Sequence, residues 1–172
     1  SKSLSDRVED SQSKIIITSD GGYRKGKMIN LKEIVDESAS SSKFVKNVIV
    51  YKRTGQEIQL NEKDLLWSDV MENSSQECDA VILDSNDSLY ILYTSGTTGK
   101  PKGVLHGIGG YLTHLHSTYK WAFDIKDDDV YFCTADIGWV TGHSYVVYGP
   151  LLHGATQVMY EGAPDYPDSS RM

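Results

Sequence analysis

The alternation of short β-branched runs with longer segments at helical spacing constrains this chain more than any other feature. Apolar runs such as 15–17 and 48–50 are continuous rather than alternating, which is typical of buried strands. Turn residues separate these runs from segments whose apolar side chains recur every three or four positions. This order predicts an α/β fold in which a layered sheet packs against helices.

The same pattern predicts where the elements lie. We expect strands around 14–18, 47–51, 89–94, 129–133 and 156–160, and helices around 4–11, 31–39, 65–71, 104–123 and 142–152. A length of 172 residues suits about one domain, so we predict that 1–172 is a single, partial domain. The chain stops in a proline-containing loop, and we therefore expect it to be an internal piece of a longer protein. A truncated sheet exposes an edge and apolar faces, so we also expect poor solubility or self-association.

Charge and composition exclude several classes of partner. Seventeen Lys and Arg residues stand against 24 Asp and Glu residues, and a net charge of -7 does not favour nucleic acid or an anionic membrane surface. Cys78 and Cys133 are expected to be buried, reduced thiols of a cytoplasmic protein, with a disulfide between them as the alternative. The acidic run 127–129 is interpreted as a solvated turn, and no metal site is predicted.

A candidate phosphate loop directly follows the third predicted strand. Between positions 93 and 103 the chain has three glycines, four Ser or Thr hydroxyls and two lysines. Glycines allow close backbone approach, N–H groups and hydroxyls donate hydrogen bonds, and lysines neutralise phosphate charge. The candidate phosphate-binding residues are Thr94, Ser95, Gly96, Thr97, Thr98, Gly99, Lys100 and Lys102.

The spacing of this loop excludes a P-loop NTPase. Thr94 stands where a Walker A loop has its first glycine, and Pro101 replaces the Ser or Thr that would hold Mg²⁺. Pro101 also lacks the backbone N–H that would begin a phosphate-capping helix. The remaining alternative is a solvated turn rich in Gly, Ser and Thr.

Residues 93–103 resemble the phosphate loop of the adenylate-forming superfamily, which includes acyl-CoA synthetases, luciferases and peptide-synthetase adenylation domains. Further segments resemble its acetyl-CoA synthetase branch in particular, and the resemblance covers essentially the whole chain. These segments are 20–27, 103–106, 109–112, 133–145, 148–151 and 160–164. The resemblance implies that the chain is an incomplete portion of the large N-terminal, AMP-binding domain, without the small C-terminal domain.

The activity implied by this resemblance is that of a two-step ligase. Acetate attacks Mg·ATP to give acetyl-adenylate and pyrophosphate, and coenzyme A then takes the acetyl group and releases AMP. The family's catalytic lysine and its adenine and Mg²⁺ contacts lie beyond Met172, so we expect the isolated chain to be inactive. The alternatives are a ligase for propionate or another short acid, a non-catalytic module that binds nucleotide or coenzyme A, and an inert domain piece.

The resemblance also assigns residues to the acyl and coenzyme A sites. The acyl-pocket residues are Trp139, Val140 and Thr141, with a core aromatic as the alternative for Trp139. The coenzyme A residues are Arg24, Lys25, Gly26, Lys27, Thr141 and Asp165, with a solvated surface as the alternative for the basic ones.

Two of these positions depart from the family pattern. Lys27 stands where the family often has arginine, which removes a bidentate contact. Asp165 stands where the family commonly has asparagine, and a carboxylate there would repel phosphate. Near the two sites, His106 and His143 are expected to make structural hydrogen bonds, whereas His114, His116 and His153 are expected on helix surfaces or in loops.

Overall fold

A computed structural model describes residues 2–94 and 101–171. The chain divides into two compact units, which are described separately. The first unit consists of Ser1–Ala80, Tyr93–Gly103 and Gly162–Met172, and the second consists of Val81–Leu92 and Val104–Glu161. Within the described ranges, each helix is too short or too polar to cross a membrane.

The first unit is built on a three-stranded parallel sheet. Its elements are α1 (Lys2–Ser11), β1 (Ile15–Ser19), β2 (Gly21–Arg24), β3 (Lys27–Asn30), α2 (Leu31–Ser41), β4 (Asn47–Tyr51), β5 (Asp64–Leu66), α3 (Trp67–Glu72) and a 3₁₀ turn (Ser169–Arg171). The strand order is β1-β4-β5, with Ile17 opposite Ile49 and Ile49 opposite Leu65. Strands β2 and β3 form a separate antiparallel hairpin.

The core of this unit lies between its sheet and the two helices α1 and α2. The buried apolar side chains that form it are Val8, Val35, Ala39, Val45, Val48 and Val50. On β1, Ile16 packs against this core, whereas Ile15 and Ile17 are 54% and 64% exposed. The prediction that β1 is a buried strand is therefore wrong for one of its faces, because α1 and α2 cover only the other. The uncovered face, which carries Ile15 and Ile17, is apolar and exposed.

The remaining elements follow from residue 88 onward. They are β6 (Ser88–Thr94), β7 (Lys102–Gly107), α4 (Ile108–Thr118) with a π-helical extension (Tyr119–Phe123), β8 (Val130–Phe132), α5 (Val140–Gly142) with a π-helical extension (His143–Tyr148), α6 (Gly149–Leu152) and β9 (Thr156–Val158). Strand β6 pairs with β7, and β8 pairs with β9 in parallel. Leu115 and Tyr119 are fully buried and fill the core of the second unit.

The five predicted strands are confirmed, and most predicted helices are confirmed with shifted ends. The helix predicted over 104–123 is wrong at its start, because 104–107 belongs to β7 and Leu105 is 61% exposed. Pairing with β6 supplies the backbone hydrogen bonds at these positions, and the helix begins only at Ile108. The hairpin β2–β3 and the short strand β5 were not predicted. Cys78 is exposed and Cys133 half-buried, and both are free thiols, so the prediction of buried thiols is wrong for Cys78.

Candidate functional site

The tip of the β2–β3 hairpin presents a cluster of basic side chains. Arg24 pairs with Lys27 across a two-residue turn formed by Lys25 and Gly26. Their φ angles of 48° and 72° are both left-handed, as a type I′ turn requires. This turn matches the right-handed twist of the strands and leaves Arg24, Lys25 and Lys27 exposed. Four of the residues assigned to coenzyme A therefore lie together on one tight turn.

Asp165 lies against this turn. Its Oδ2 atom is 2.6 Å from the Lys25 ammonium, and the two side chains are 60% and 53% exposed. The hydrogen bond from Lys25 holds the pKa of the Asp165 carboxyl below its usual range, and the charge of Arg24 acts in the same direction. The structure thus brings the 24–27 turn into contact with Asp165. From the sequence, these two segments could be assigned to one site only by resemblance.

A second contact fixes the same two segments. Gly26 faces the ring of Tyr166, and a Cβ atom at position 26 would overlap the Tyr166 hydroxyl and lie 2.9 Å from its Cζ. The guanidinium of Arg171 donates to the carbonyl of Tyr166 at 3.0 Å, and this hydrogen bond stabilises the loop that carries Asp165 and Tyr166. Glycine is therefore required at position 26 both for its backbone conformation and for this close approach.

Asp20 holds the base of the hairpin and was missed by the sequence analysis. Its buried carboxylate accepts hydrogen bonds from the backbone N–H groups of Gly21 (2.7 Å), Arg53 (2.8 Å), Thr54 (3.0 Å) and Gly55 (2.8 Å). Burial opposes ionisation of Asp20, but these four donors outweigh it and lower the pKa to about 2. The sequence showed only a strand break at this Asp-Gly-Gly, which is a common turn signal.

The candidate phosphate loop is described at its two flanks. Thr94 ends β6 and Lys102 begins β7, and both side chains are exposed. Positions 95–100, which include Ser95, Gly96, Thr97, Thr98, Gly99 and Lys100, lie outside the described residues.

Helix α1 holds the residue that precedes this loop. The Tyr93 hydroxyl donates to Asp10 Oδ2 at 2.6 Å, and the Arg7 guanidinium lies 5.9 Å from the centre of the Tyr93 ring. Burial and the hydrogen bond to Asp10 raise the pKa of Tyr93. The strand end that leads into the loop is therefore anchored by side chains of α1.

The three acyl-pocket candidates lie at the start of α5. Trp139 and Val140 are 67% and 48% exposed and Thr141 is exposed, so Trp139 is not a core aromatic in the described structure. Their backbone is nevertheless fixed: Trp139 N–H donates to Asp136 O at 3.2 Å, and His143 N–H donates to Trp139 O at 3.0 Å.

Gly142 packs directly against the backbone of Asp136 and Ile137. A Cβ atom at position 142 would overlap the Asp136 carbonyl oxygen and lie 2.5 Å from Ile137 Cα. Because backbone atoms cannot move aside as a flexible side chain does, this position requires glycine.

Two of the histidines pack in an aromatic cluster around Tyr90. The ring centres of His106 and His143 lie 4.7 and 5.3 Å from that of Tyr90, and His143 Nδ1 is 3.0 Å from the Trp139 carbonyl. Burial raises the pKa of Tyr90, and the neighbouring Tyr111 hydroxyl acts in the same direction. The hydrogen bond of His143 agrees with its expected structural role, whereas His106 contributes by ring stacking.

His116 and His153 also stack, with ring centres 5.0 Å apart. His153 lies in the turn that follows α6, in agreement with its expected place on a helix surface or in a loop. Its Nε2 atom is nevertheless buried, its ring packs against the buried Tyr119, and burial together with the neighbouring His116 lowers the pKa of His153.

Comparison of the sequence and the fold with those of known proteins identifies the family of this chain. The chain is 55% identical over 169 residues to the acetyl-coenzyme A synthetase of Chlorobaculum tepidum and 53% identical over 171 residues to that of Rubrobacter xylanophilus. These matches cover 98% and 99% of this chain but 26% and 27% of the relatives, so the chain spans about a quarter of their length.

A solved structure and a family model agree with these relatives. The fold matches the acetoacetyl-CoA synthetase from Streptomyces lividans with a TM-score of 0.85 and 27% identity, over 98% of this chain and 25% of that one. The α/β architecture predicted from the sequence is therefore confirmed. The family model described as AMP-binding enzyme matches residues 1–172, and the chain belongs to that family.

Proposed function

We propose that this chain is part of an AMP-forming acetate–CoA ligase. The observation that carries the proposal is its 55% identity, over 98% of its length, to a protein named acetyl-coenzyme A synthetase. The substrates would be acetate, Mg·ATP and coenzyme A, and the products pyrophosphate, AMP and acetyl-CoA. Both units would belong to the AMP-binding domain of a cytoplasmic enzyme.

In the first step, an acetate oxygen attacks the α-phosphorus of ATP and pyrophosphate leaves. Because both reactants are anions, the reaction needs cations and hydrogen-bond donors around the phosphates. Mg²⁺ arrives with ATP and supplies part of this charge. Lys100 and Lys102 would supply the protein's part, and the hydroxyls of the loop would donate hydrogen bonds. The remaining loop residues in this role are Thr94, Ser95, Gly96, Thr97, Thr98 and Gly99.

In the second step, the thiol of coenzyme A attacks the acetyl carbonyl, its proton is lost, and AMP leaves. Trp139, Val140 and Thr141 would form part of the wall around the acetyl group, with Thr141 also next to the entering thiol. Their exposure leaves their side chains accessible to ligand or to protein parts that this chain does not contain. Arg24, Lys25 and Lys27 would bind phosphate of coenzyme A, and Gly26 and Asp165 would belong to the same site.

Titration calorimetry on the purified chain tests the residue roles directly. We expect saturable binding of Mg·ATP that is lost in Lys100→Ala, and saturable binding of coenzyme A that is lost in Arg24→Ala. Each variant serves as the control for the other ligand, since each should leave the other titration unchanged. Loss of both titrations in one variant would indicate misfolding rather than a binding role.

A chimera tests the activity. This chain would replace the matching quarter of the Chlorobaculum tepidum relative, and acetyl-CoA and AMP formation would be measured with acetate and with propionate. We expect acetate-dependent formation of both products, while the isolated 172-residue chain releases no pyrophosphate. A folded chimera that binds neither nucleotide nor coenzyme A would contradict the proposal, and a preference for propionate would contradict the substrate.

A further inference from the structure

We propose that Asp165 competes with phosphate for Lys25, so that a phosphate group of the incoming ligand binds the Arg24–Lys27 turn by displacing the Asp165 carboxylate. The ligand is coenzyme A, and the inference therefore rests on the proposed function. Asp165 would thus set the affinity of the turn for its ligand.

The charges around the turn carry this inference. The Asp165 carboxylate contacts Lys25 at 2.6 Å and also feels the charge of Arg24, so it partly neutralises two of the three cations at the hairpin tip. Carboxylate and phosphate oxygens accept the same charge-assisted hydrogen bonds from an ammonium group. A phosphate that approaches Lys25 must therefore either replace Asp165 or lie beside a like charge, and both effects weaken its binding.

The backbone keeps Lys25 next to its competitor. The Lys25-Gly26 turn is fixed by left-handed φ angles at both positions, and Gly26 is pressed against Tyr166, the residue that follows Asp165. Lys25 is the non-glycine member of this turn, and its left-handed conformation is strained. The close contact between Gly26 and Tyr166 holds this conformation in place and does not depend on the ion pair.

The exposure of the pair determines how large the effect should be. Both side chains are more than half exposed, so the pair is accessible to ligand and is screened by water and salt. An exposed ion pair of this kind makes a small contribution, and we expect its removal to change ligand affinity by about fivefold. A buried pair would produce a much larger change.

The test compares two carboxylates on the same loop. Asp165→Asn removes the carboxylate that contacts Lys25. Asp168→Asn removes an equal charge three residues away, where the carboxylate instead accepts from the N–H (2.9 Å) and hydroxyl (2.5 Å) of Ser170. Lys25→Gly removes the ammonium but preserves the left-handed turn. The dissociation constant for coenzyme A would be measured by titration of the chain, and KM for coenzyme A in the chimera, at fixed ionic strength.

We expect Asp165→Asn to lower both constants about fivefold, Asp168→Asn to change them by less than about twofold, and Asp165→Asn to have little effect when Lys25→Gly is also present. Unchanged or weaker coenzyme A binding in Asp165→Asn, with an active chimera, would overturn the inference and leave the proposed function standing. An equal gain in Asp168→Asn would also overturn it, because the general charge of the loop would then explain the result. Absence of coenzyme A binding in every variant would overturn both.

Discussion

Lys25 and Asp165 are separated by 140 positions in the sequence, yet their Nζ and Oδ2 atoms lie 2.6 Å apart. The contact joins a hairpin near the beginning of the chain to a loop near its end. Directly beside it, Gly26 packs against Tyr166. These two neighbouring contacts shape the surface on which we place coenzyme A, and they suggest the first experiment.

Replacing Gly26 by alanine should detach the hairpin tip from the 162–168 loop. The left-handed conformation costs an alanine about 1 kcal/mol, and the added methyl group also overlaps the Tyr166 hydroxyl. We expect Gly26→Ala to lower the free energy of unfolding by about 2 kcal/mol and to weaken coenzyme A binding. Urea denaturation and titration calorimetry measure the two effects.

Gly55 provides the matched control for this change. It has nearly the same φ (73° against 72°), but within the described ranges an added Cβ would have no atom within 4 Å apart from its own chain neighbours. Gly55→Ala should therefore cost only the conformational part, about 1 kcal/mol, and leave coenzyme A binding unchanged. Equal effects of the two substitutions would show that the contact with Tyr166 has no role.

Replacing Asp20 by asparagine should remove a pH-dependent part of the stability. The Asp20 pKa is about 2 in the folded protein, against about 3.9 for an unfolded aspartate. Its ionised form therefore stabilises the fold fully above pH 4, and this contribution of about 2 kcal/mol is lost as the pH falls from 4 to 2. We expect Asp20→Asn to be less stable than the wild type at pH 7, with a difference that shrinks towards pH 2.

Urea denaturation at a series of pH values measures this difference. Asp79→Asn is the control, because it removes the same charge from an exposed position. A stability difference between wild type and Asp20→Asn that stays constant from pH 7 to pH 2 would contradict the assigned role of the carboxylate.

Replacing Gly142 by alanine should displace the segment that carries Trp139, Val140 and Thr141. The added Cβ would overlap the Asp136 carbonyl oxygen, and that backbone must shift to make room. We expect a loss of about 2 kcal/mol of unfolding free energy and a reduced rate of acetate activation in the chimera.

Gly110 in α4 is the matched glycine for this test, since in the part of the chain that the structure describes nothing beyond its own helix backbone and chain neighbours lies within 4 Å of an added Cβ. Gly110→Ala should stabilise the helix by about 0.5–1 kcal/mol and leave the acetate kinetics unchanged. Wild-type acetate kinetics in Gly142→Ala would argue against a role for 139–141 in the acyl site.

Replacing Lys32 by methionine should strongly destabilise the first unit. The buried Lys32 ammonium pairs with Asp36 and, at 2.7 Å, with Asp64, whose side chain is also buried. The substitution leaves the Asp64 charge uncompensated, which we expect to cost about 3 kcal/mol. Adding Asp64→Asn should recover a large part of this loss, because asparagine carries no charge and its amide oxygen still accepts from Asn61 N–H. Thermal unfolding of the wild type, Lys32→Met, Asp64→Asn and the double variant completes a double-mutant cycle. If the two losses of stability simply add, the two residues are not coupled and the prediction is contradicted.

Local sequence signals were sufficient for five of the described strands, for most helices and for the family. Strand β1 and helix α2 are set by the spacing of apolar residues within a few positions, and the 93–103 motif is a continuous run. The same local reasoning failed at 104–107, where pairing with β6 outweighed an apparent helical period. It also failed at Asp20, because its four backbone donors come from two segments more than thirty residues apart along the chain.

The sequence by itself determined the α/β alternation, the phosphate-loop motif and the run of basic residues at 24–27, since each depends on neighbouring residues alone. Only the tertiary structure decided that Asp165 is the ion-pair partner of Lys25, that Tyr166 requires glycine at position 26, and that Asp20 holds the base of the hairpin. Such contacts depend on how distant segments close upon each other. That closure is driven by burial of the whole core, and no local pattern encodes it.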